Sequence, residues 1–336
     1  MPNPTLAQRI HGSLIGAAIG AELSFARARH PERVAKRPED FAALIPQLGP
    51  ATAPPEKLHW MTDASLRHLV DAGVAAYVKK QGRATPEDFA EVFKDHAGIA
   101  TPALFFDNLH TVQELLKEGM HPRLSGLGNA PHGLMCAAMP AVGIYHLADP
   151  DYAYLDGIEL AAVGQGREGS EWAGLCAAAV AAAFAPDATA RSVTDTVLRL
   201  AQENDKNEMR QLYWPTRIGR STPRAEFAEW WWRDGGYVPV TSAQQFIAWN
   251  PPRYLLPLID HCADQPELFM AYLTGAAGNW YYGQNGLHGA VAVTGGAILG
   301  ALGGPEIFPA RWRAWAEPLA EAWRGLGPVV ERRLAE

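Results

Sequence analysis

Apolar residues recur at helical spacing along most of this chain, starting with Leu6, Ile10, Leu14, Ile15 and Ile19, which mark a helix expected to end around Gly20–Glu22. From Arg27 to Lys57 six prolines break the pattern, leaving an irregular connection with one short helix around Glu39–Leu44. Thr62 and Asp63 stand at an N-cap position ahead of Leu66, Leu69, Val70, Val74 and Val78, a second helix face. Thr85-Pro86-Glu87-Asp88 reads as a capped start with proline in the first position; that helix is expected to reach about Ala97, with another beginning near Thr101. Beyond the turn Ser125–Asn129, the spacing predicts helices at Leu134–Tyr145, Asp149–Gly164, Gly169–Ala185 and Ala188–Glu203.

Residues 204–250 interrupt this rhythm with Pro215, Pro223, Gly235, Gly236 and the run Trp230-Trp231-Trp232. They read as an irregular insertion or lid, with a short hairpin around Tyr237–Val240. Consecutive residues point to different sides in any regular element, so at least one of the three tryptophans is expected at a surface, lid or interface. Helices resume at Ala243–Ile247, Tyr254–Ala263, Pro266–Ala277, Gly286–Gly303 and Pro309–Glu331. Without alternating strands, heptads or a fixed repeat, the chain is expected to be all-α, a single globular multi-helix domain over 1–336.

Composition narrows the partners. The 336 residues are 48% hydrophobic, enough for a sizeable core, and the net charge of -7 is dispersed without a basic stripe, which argues against nucleic acid. Cys136, Cys176 and Cys262 are odd in number and far apart, and read as buried thiols in a reducing cytoplasm. The N-terminus shows no signal-peptide pattern. Gly286–Gly304 is long enough for a membrane span, but His288 and its glycines fit close helix packing better, so no membrane partner is expected.

Four segments carry a resemblance. Arg9-Ile10-His11-Gly12-Ser13-Leu14-Ile15-Gly16-Ala17-Ala18-Ile19-Gly20, Met61-Thr62-Asp63-Ala64-Ser65, Ala138-Met139-Pro140-Ala141-Val142-Gly143-Ile144 with Ala148-Asp149-Pro150, and Gly296-Ala297-Ile298-Leu299-Gly300-Ala301-Leu302-Gly303-Gly304 occur in the order of corresponding motifs in the ADP-ribosylglycohydrolase family, which the chain resembles. The resemblance implies an all-α fold and a pair of divalent ions held by a T-D-D element, a D-x-D-T opening the last conserved helix, and a glutamate after the first helix. In this chain Ala64 replaces the second aspartate, and the D-x-D-T segment aligns with Asn285-Gly286-Leu287-His288 or slightly later, without a carboxylate. The glutamate position falls near Ala28, with Glu22 and Glu32 close by. So few carboxylates argue against a magnesium pair, since each ion takes about six oxygens. The family's phosphate and ribose loop keeps Gly128 and Asn129, but Leu134 or Cys136 stands where its arginine belongs, implying a ligand smaller and less anionic than ADP-ribose.

Metal-free cleavage of a glycosidic bond needs one group to activate water and another to protonate the leaving atom. Asp63 is the candidate for the first role, and His132 or His288 for the second. Asp63 alternatively serves as an N-cap, and each histidine as a hydrogen-bonded core side chain. Thr62, Ser65, Asn129, Glu168, Tyr282, Gln284 and Asn285 are candidate contacts to a small-molecule ligand, nucleoside- or ribose-like. No cofactor is expected, with magnesium as the fallback. Three readings stay open: a glycosyl hydrolase without the metal pair, a non-catalytic binding or structural relative, and a magnesium-dependent ADP-ribosyl hydrolase with a rebuilt site.

Overall fold

The computed structural model describes residues 3–28, 35, 37–50, 62–99, 108–129, 133–166, 168–204, 206–235, 251–275 and 285–336. Among these there is no strand, as an all-α fold requires. The helices are α1 (Leu6–Ala28), α2 (Asp40–Leu44), α3 (Thr62–Lys80), α4 (Pro86–Phe93), α5 (Asn108–Lys117), α6 (Pro122–Ser125) and α7 (Met139–Tyr145). There follow α8 (Pro150–Ala161), α9 (Glu168–Ala182), α10 (Ala190–Asn204), α11 (Lys206–Ser221), α12 (Phe227–Trp230), α13 (Pro251–Cys262) and α14 (Pro266–Gly275). The chain closes with α15 (Asn285–Gly303), α16 (Ala310–Ala322) and α17 (Leu326–Ala335).

The central contact joins helices from opposite ends of the sequence. Gly12, Gly16 and Gly20 of α1 lie against Gly300 with Gly304, Gly296 and Ala292 of the antiparallel α15, so closely that a methyl group on Gly16 would overlap the carbonyl of Gly296. Small residues let the two backbones touch, and Ile15, Ile19, Val293 and Ile298 close the seam with no exposed surface. Arg9 locks this pair to α9: its Nε donates to the carbonyl of Ala301 at 2.7 Å, and its Nη2 to the carbonyls of Ala183 and Ala185 just past the end of α9. A cation there answers the carbonyls of Ala301 and Ala183 at two helix ends. The same device recurs where Gly143 of α7 abuts the Ala177 carbonyl and where Gly157 of α8 meets Gly174 of α9. No helix among the described residues is long and apolar enough to cross a membrane, α15 included.

Several boundaries differ from expectation because tertiary contacts override local signals. Helix α1 continues to Ala28, past the glycine at which the pattern suggested a stop, because Leu23 and Ser24 still face the core. Helix α4 has the expected cap, Thr85 accepting from the Asp88 amide and Asp88 answering the Thr85 amide, but ends at Phe93 rather than Ala97. There the buried Gln113 of α5 donates to the carbonyls of Phe93 and His96, satisfying groups that another helical turn would have used. The start proposed near Thr101 lies outside the described residues. The expected last helix is two, parted at Gly325, which sits against Val78 of α3.

The irregular chain expected over 204–250 is corrected in its first part. Lys206–Ser221 is helical with Pro215 inside it, and Trp231–Gly235 forms a π-helical turn. Trp230 and Trp231 are buried, and Trp232 packs partly buried on the core, its ring 6.2 Å from that of Phe41. Three successive tryptophans find apolar surroundings because the segment is enclosed on several sides: Gly219 of α11 abuts Trp230, while Tyr254 of α13 and Tyr272 of α14 stand edge-on to Trp231. Of the three, only Trp232 keeps partial exposure, in line with the expectation of one tryptophan at a surface. The proposed hairpin at Tyr237–Val240 and helix at Ala243–Ile247 lie outside the described residues.

The glycine seam makes a signed prediction. Gly→Ala inside a helix ordinarily stabilises by about 0.5–1 kcal/mol. At Gly16 the overlap reverses this, and Gly16→Ala is expected to destabilise by roughly 1–3 kcal/mol or more in thermal or urea unfolding. Gly327→Ala in α17, where nothing lies within 4 Å of the added carbon, is the control and should leave stability unchanged or raised.

Candidate functional site

Because Gly20 meets Ala292 and the two helices run antiparallel, the last turns of α1 and the first turns of α15 share one end of the molecule. Helix α3 enters the same region through Arg67, whose Nη1 lies 4.0 Å from the Glu22 carboxylate of α1. The Glu22 side chain is 15% exposed and that of Arg67 45%, so the carboxylate is the enclosed partner and the guanidinium the solvated one. Burial raises the pKa of Glu22 above the ordinary carboxylate value, and the Arg67 charge pulls it part of the way back.

Thr62, Asp63 and Ser65 fall in the first turn of α3 rather than ahead of it, which corrects the N-cap placement of Thr62 and Asp63. Asp63 stands four residues before Arg67, hence in register on one face of the helix. Asn285 and His288 fall in the first turn of α15, a turn without an acidic residue. The side chains of these five residues lie outside the described structure, as do His132, Tyr282 and Gln284 altogether. What the backbone establishes is convergence: the openings of α3 and α15 and the end of α1 come to the same side of the glycine seam.

Asn129 and Glu168 occupy a neighbouring turn. The Asn129 side-chain amide donates to the Gly164 carbonyl at 2.8 Å, and Gly126 approaches Ala162 and Gln165 so closely that a methyl group would overlap their backbones. Gln165 is fully buried; its amide donates to the Gly169 carbonyl at 2.6 Å, and the Ser170 hydroxyl donates to the Gln165 carbonyl at 2.7 Å. Glu168 is exposed and opens α9, where a carboxylate is favoured by the helix dipole. Thr294 of α15 donates to the Cys136 carbonyl at 3.2 Å, tying the segment that follows this loop to the same central helix.

Of the residues at this end, Asp63 stands out by its motif, whereas Arg67 belongs to none and Glu22 is only near the family's glutamate position. The i, i+4 spacing of Asp63 and Arg67 was visible. That Glu22 faces Arg67 depends on the packing of α1 against α3, which no local pattern records.

The model of the family described as ADP-ribosylglycohydrolase matches residues 2–334. Among solved structures, a protein titled "ADP-ribosylglycohydrolase-related protein complex" is similar, with 16% identity, a TM-score of 0.55, and coverage of 95% of this chain and 98% of the other. At that identity the likeness speaks for the fold alone. Comparison with curated proteins gives no match.

The pairing of Glu22 and Arg67 can be read directly. In Arg67→Gln the lowering charge is lost while burial remains, so the pKa of Glu22 is expected to rise further when followed by carbon NMR of the labelled carboxylate. An unchanged or lower value would show that the two groups are not coupled.

Proposed function

The chain belongs to the ADP-ribosylglycohydrolase family, and from that premise we propose that it hydrolyses an N- or O-glycosidic bond of a ribosyl or related small molecule without the magnesium pair. The observation that carries this reading is the largely enclosed Glu22 carboxylate faced by the guanidinium of Arg67, which stands one helical turn beyond Asp63. The donor set does not fit two magnesium ions. Ala64 offers no side-chain ligand, the first turn of α15 has no acid, and Glu22 already faces a fixed positive charge that opposes a dication.

Such a site retains what hydrolysis needs. Asp63 takes a proton from water as its oxygen attacks the anomeric carbon; the bond from that carbon to the leaving nitrogen or oxygen breaks, and that atom accepts a proton. Glu22 suits the acid role because burial favours its protonated form, the means by which glycosidases keep one carboxyl neutral beside an ionised one. His288 and His132 are the further candidates for the same proton. Thr62, Ser65, Asn129, Glu168, Tyr282, Gln284 and Asn285 are the proposed contacts to a nucleoside- or ribose-like ligand. With Leu134 or Cys136 in place of the loop arginine, the ligand lacks a bidentate partner for a diphosphate.

The test is turnover of a panel of nucleosides and ribosyl conjugates by the full chain with a chelator present. Wild type should hydrolyse at least one of them, and Asp63→Asn and Glu22→Gln, each folded by circular dichroism, should lower kcat by about 10²–10⁴-fold. Since the acid must be protonated, kcat/KM should fall as pH rises through the raised Glu22 value, and this limb should move to higher pH in Arg67→Gln. No turnover anywhere on the panel, or full activity in both carboxylate variants, would contradict the proposal; the first result would favour a non-catalytic member of the family, and a strict need for added magnesium a rebuilt metal site.

A further inference from the structure

Elsewhere on α3, His68, Asp71 and the loop residue His96 bring two imidazoles and a carboxylate together, with one ligand atom from each within 4.8 Å of the others. We propose that this cluster is a binding site for a single borderline divalent transition metal of the zinc, cobalt and nickel class, with ligands other than the catalytic candidates and with Arg67 as the residue that adjoins both. Two nitrogens and one oxygen suit such ions, whereas magnesium and calcium take mostly oxygen.

Asp71 and His96 are each held by a second group. The Trp323 indole N–H donates to one oxygen of Asp71, leaving the other, Oδ2, 3.6 Å from His68 Nδ1. That nitrogen is shielded from solvent and has no hydrogen-bond partner among the described residues. The His96 Nδ1 lies 2.9 Å from the Ala97 carbonyl, an arrangement that puts the proton on Nδ1 and leaves the Nε2 lone pair for an ion. The loop bearing His96 is fastened by the buried Gln113, which donates to the His96 carbonyl at 3.1 Å. Gly98, at φ +90°, brings the backbone against the His68 ring where a side chain would overlap it. The imidazoles of His68 and His96 stand edge to face with centroids 5.4 Å apart.

Ligand atoms around a tetrahedral zinc-class ion with bonds of about 2.0–2.1 Å stand roughly 3.3 Å apart, so atoms now within 4.8 Å of one another need only draw closer to hold one. The side chains of His68 and Asp71 remain 23% and 32% exposed, which leaves a coordination position open to water. The opposing feature is Arg67, whose Nε approaches His68 Nε2 at 3.4 Å. That contact is long, and the half-exposed arginine is free to turn towards Glu22 as His68 takes up the ion through Nδ1 and moves its proton to Nε2.

Cobalt(II) titration of the metal-free full chain tests this, read by visible d–d absorption. One equivalent should give the intense spectrum of a low-coordinate ion, displaced by zinc and not by magnesium. His96→Gln and Asp71→Asn should each weaken uptake by more than about tenfold, Arg67→Gln should strengthen it, and Asp63→Asn should leave it unchanged. Because the signal is spectroscopic, it is independent of whether any glycoside is hydrolysed. Absence of the spectrum, or equal uptake in wild type and in folded His96→Gln and Asp71→Asn, would overturn the site; if one variant unfolds, the other decides.

Discussion

Everything else in this fold rests on the contact of two helices whose backbones touch. Gly12, Gly16 and Gly20 on α1, facing Gly296, Gly300 and Gly304, remove the side chains that would hold the helices at an ordinary separation. Dispersion along so long and close a seam is large in sum, although each atom pair gives only about 0.1–0.2 kcal/mol. The seam also fixes position. It sets the end of α1 beside the start of α15, and through Arg9 it sets both against α9. The opening residues of α3 and α15 and the carboxylate of Glu22 thereby converge on one rigid element.

That convergence gives the site its electrostatic character. Oxygen-rich metal sites depend on several carboxylates whose mutual repulsion the cations relieve. Here Ala64 takes the place of one such carboxylate, and among the described residues a guanidinium stands against that of Glu22. Arginine carries one fixed charge and only donors, so it can balance Glu22 but cannot act as a Lewis acid on a bound oxygen. A site of this kind suits proton transfer, because burial raises the pKa of the Glu22 carboxyl and so favours its protonated form.

The helical pattern was plain in the sequence wherever it answered to local rules. Thr85 and Asp88 announced their cap and proline its place after them, and the dense small residues of Gly296–Gly304 spoke for close helix contact rather than a membrane. Local rules failed where partners distant in sequence decide. Trp230, Trp231 and Trp232 looked too crowded for one core because the surfaces that receive them come from α2, α11, α13 and α14. Pro215 looked like a breaker, yet α11 passes through it. For the site, Asp63 could be found from its motif, whereas Glu22 gains meaning only from the 4.0 Å contact that α3 makes with α1.

The central claim of the proposal is that the site works without a magnesium pair, with the Arg67 charge facing Glu22. Its most direct test is isothermal calorimetry of the purified chain with magnesium at neutral pH. The account predicts no saturable binding in the millimolar range by wild type. Stoichiometric binding that disappears in Glu22→Gln or Asp63→Asn would contradict it and return magnesium to the centre of the chemistry.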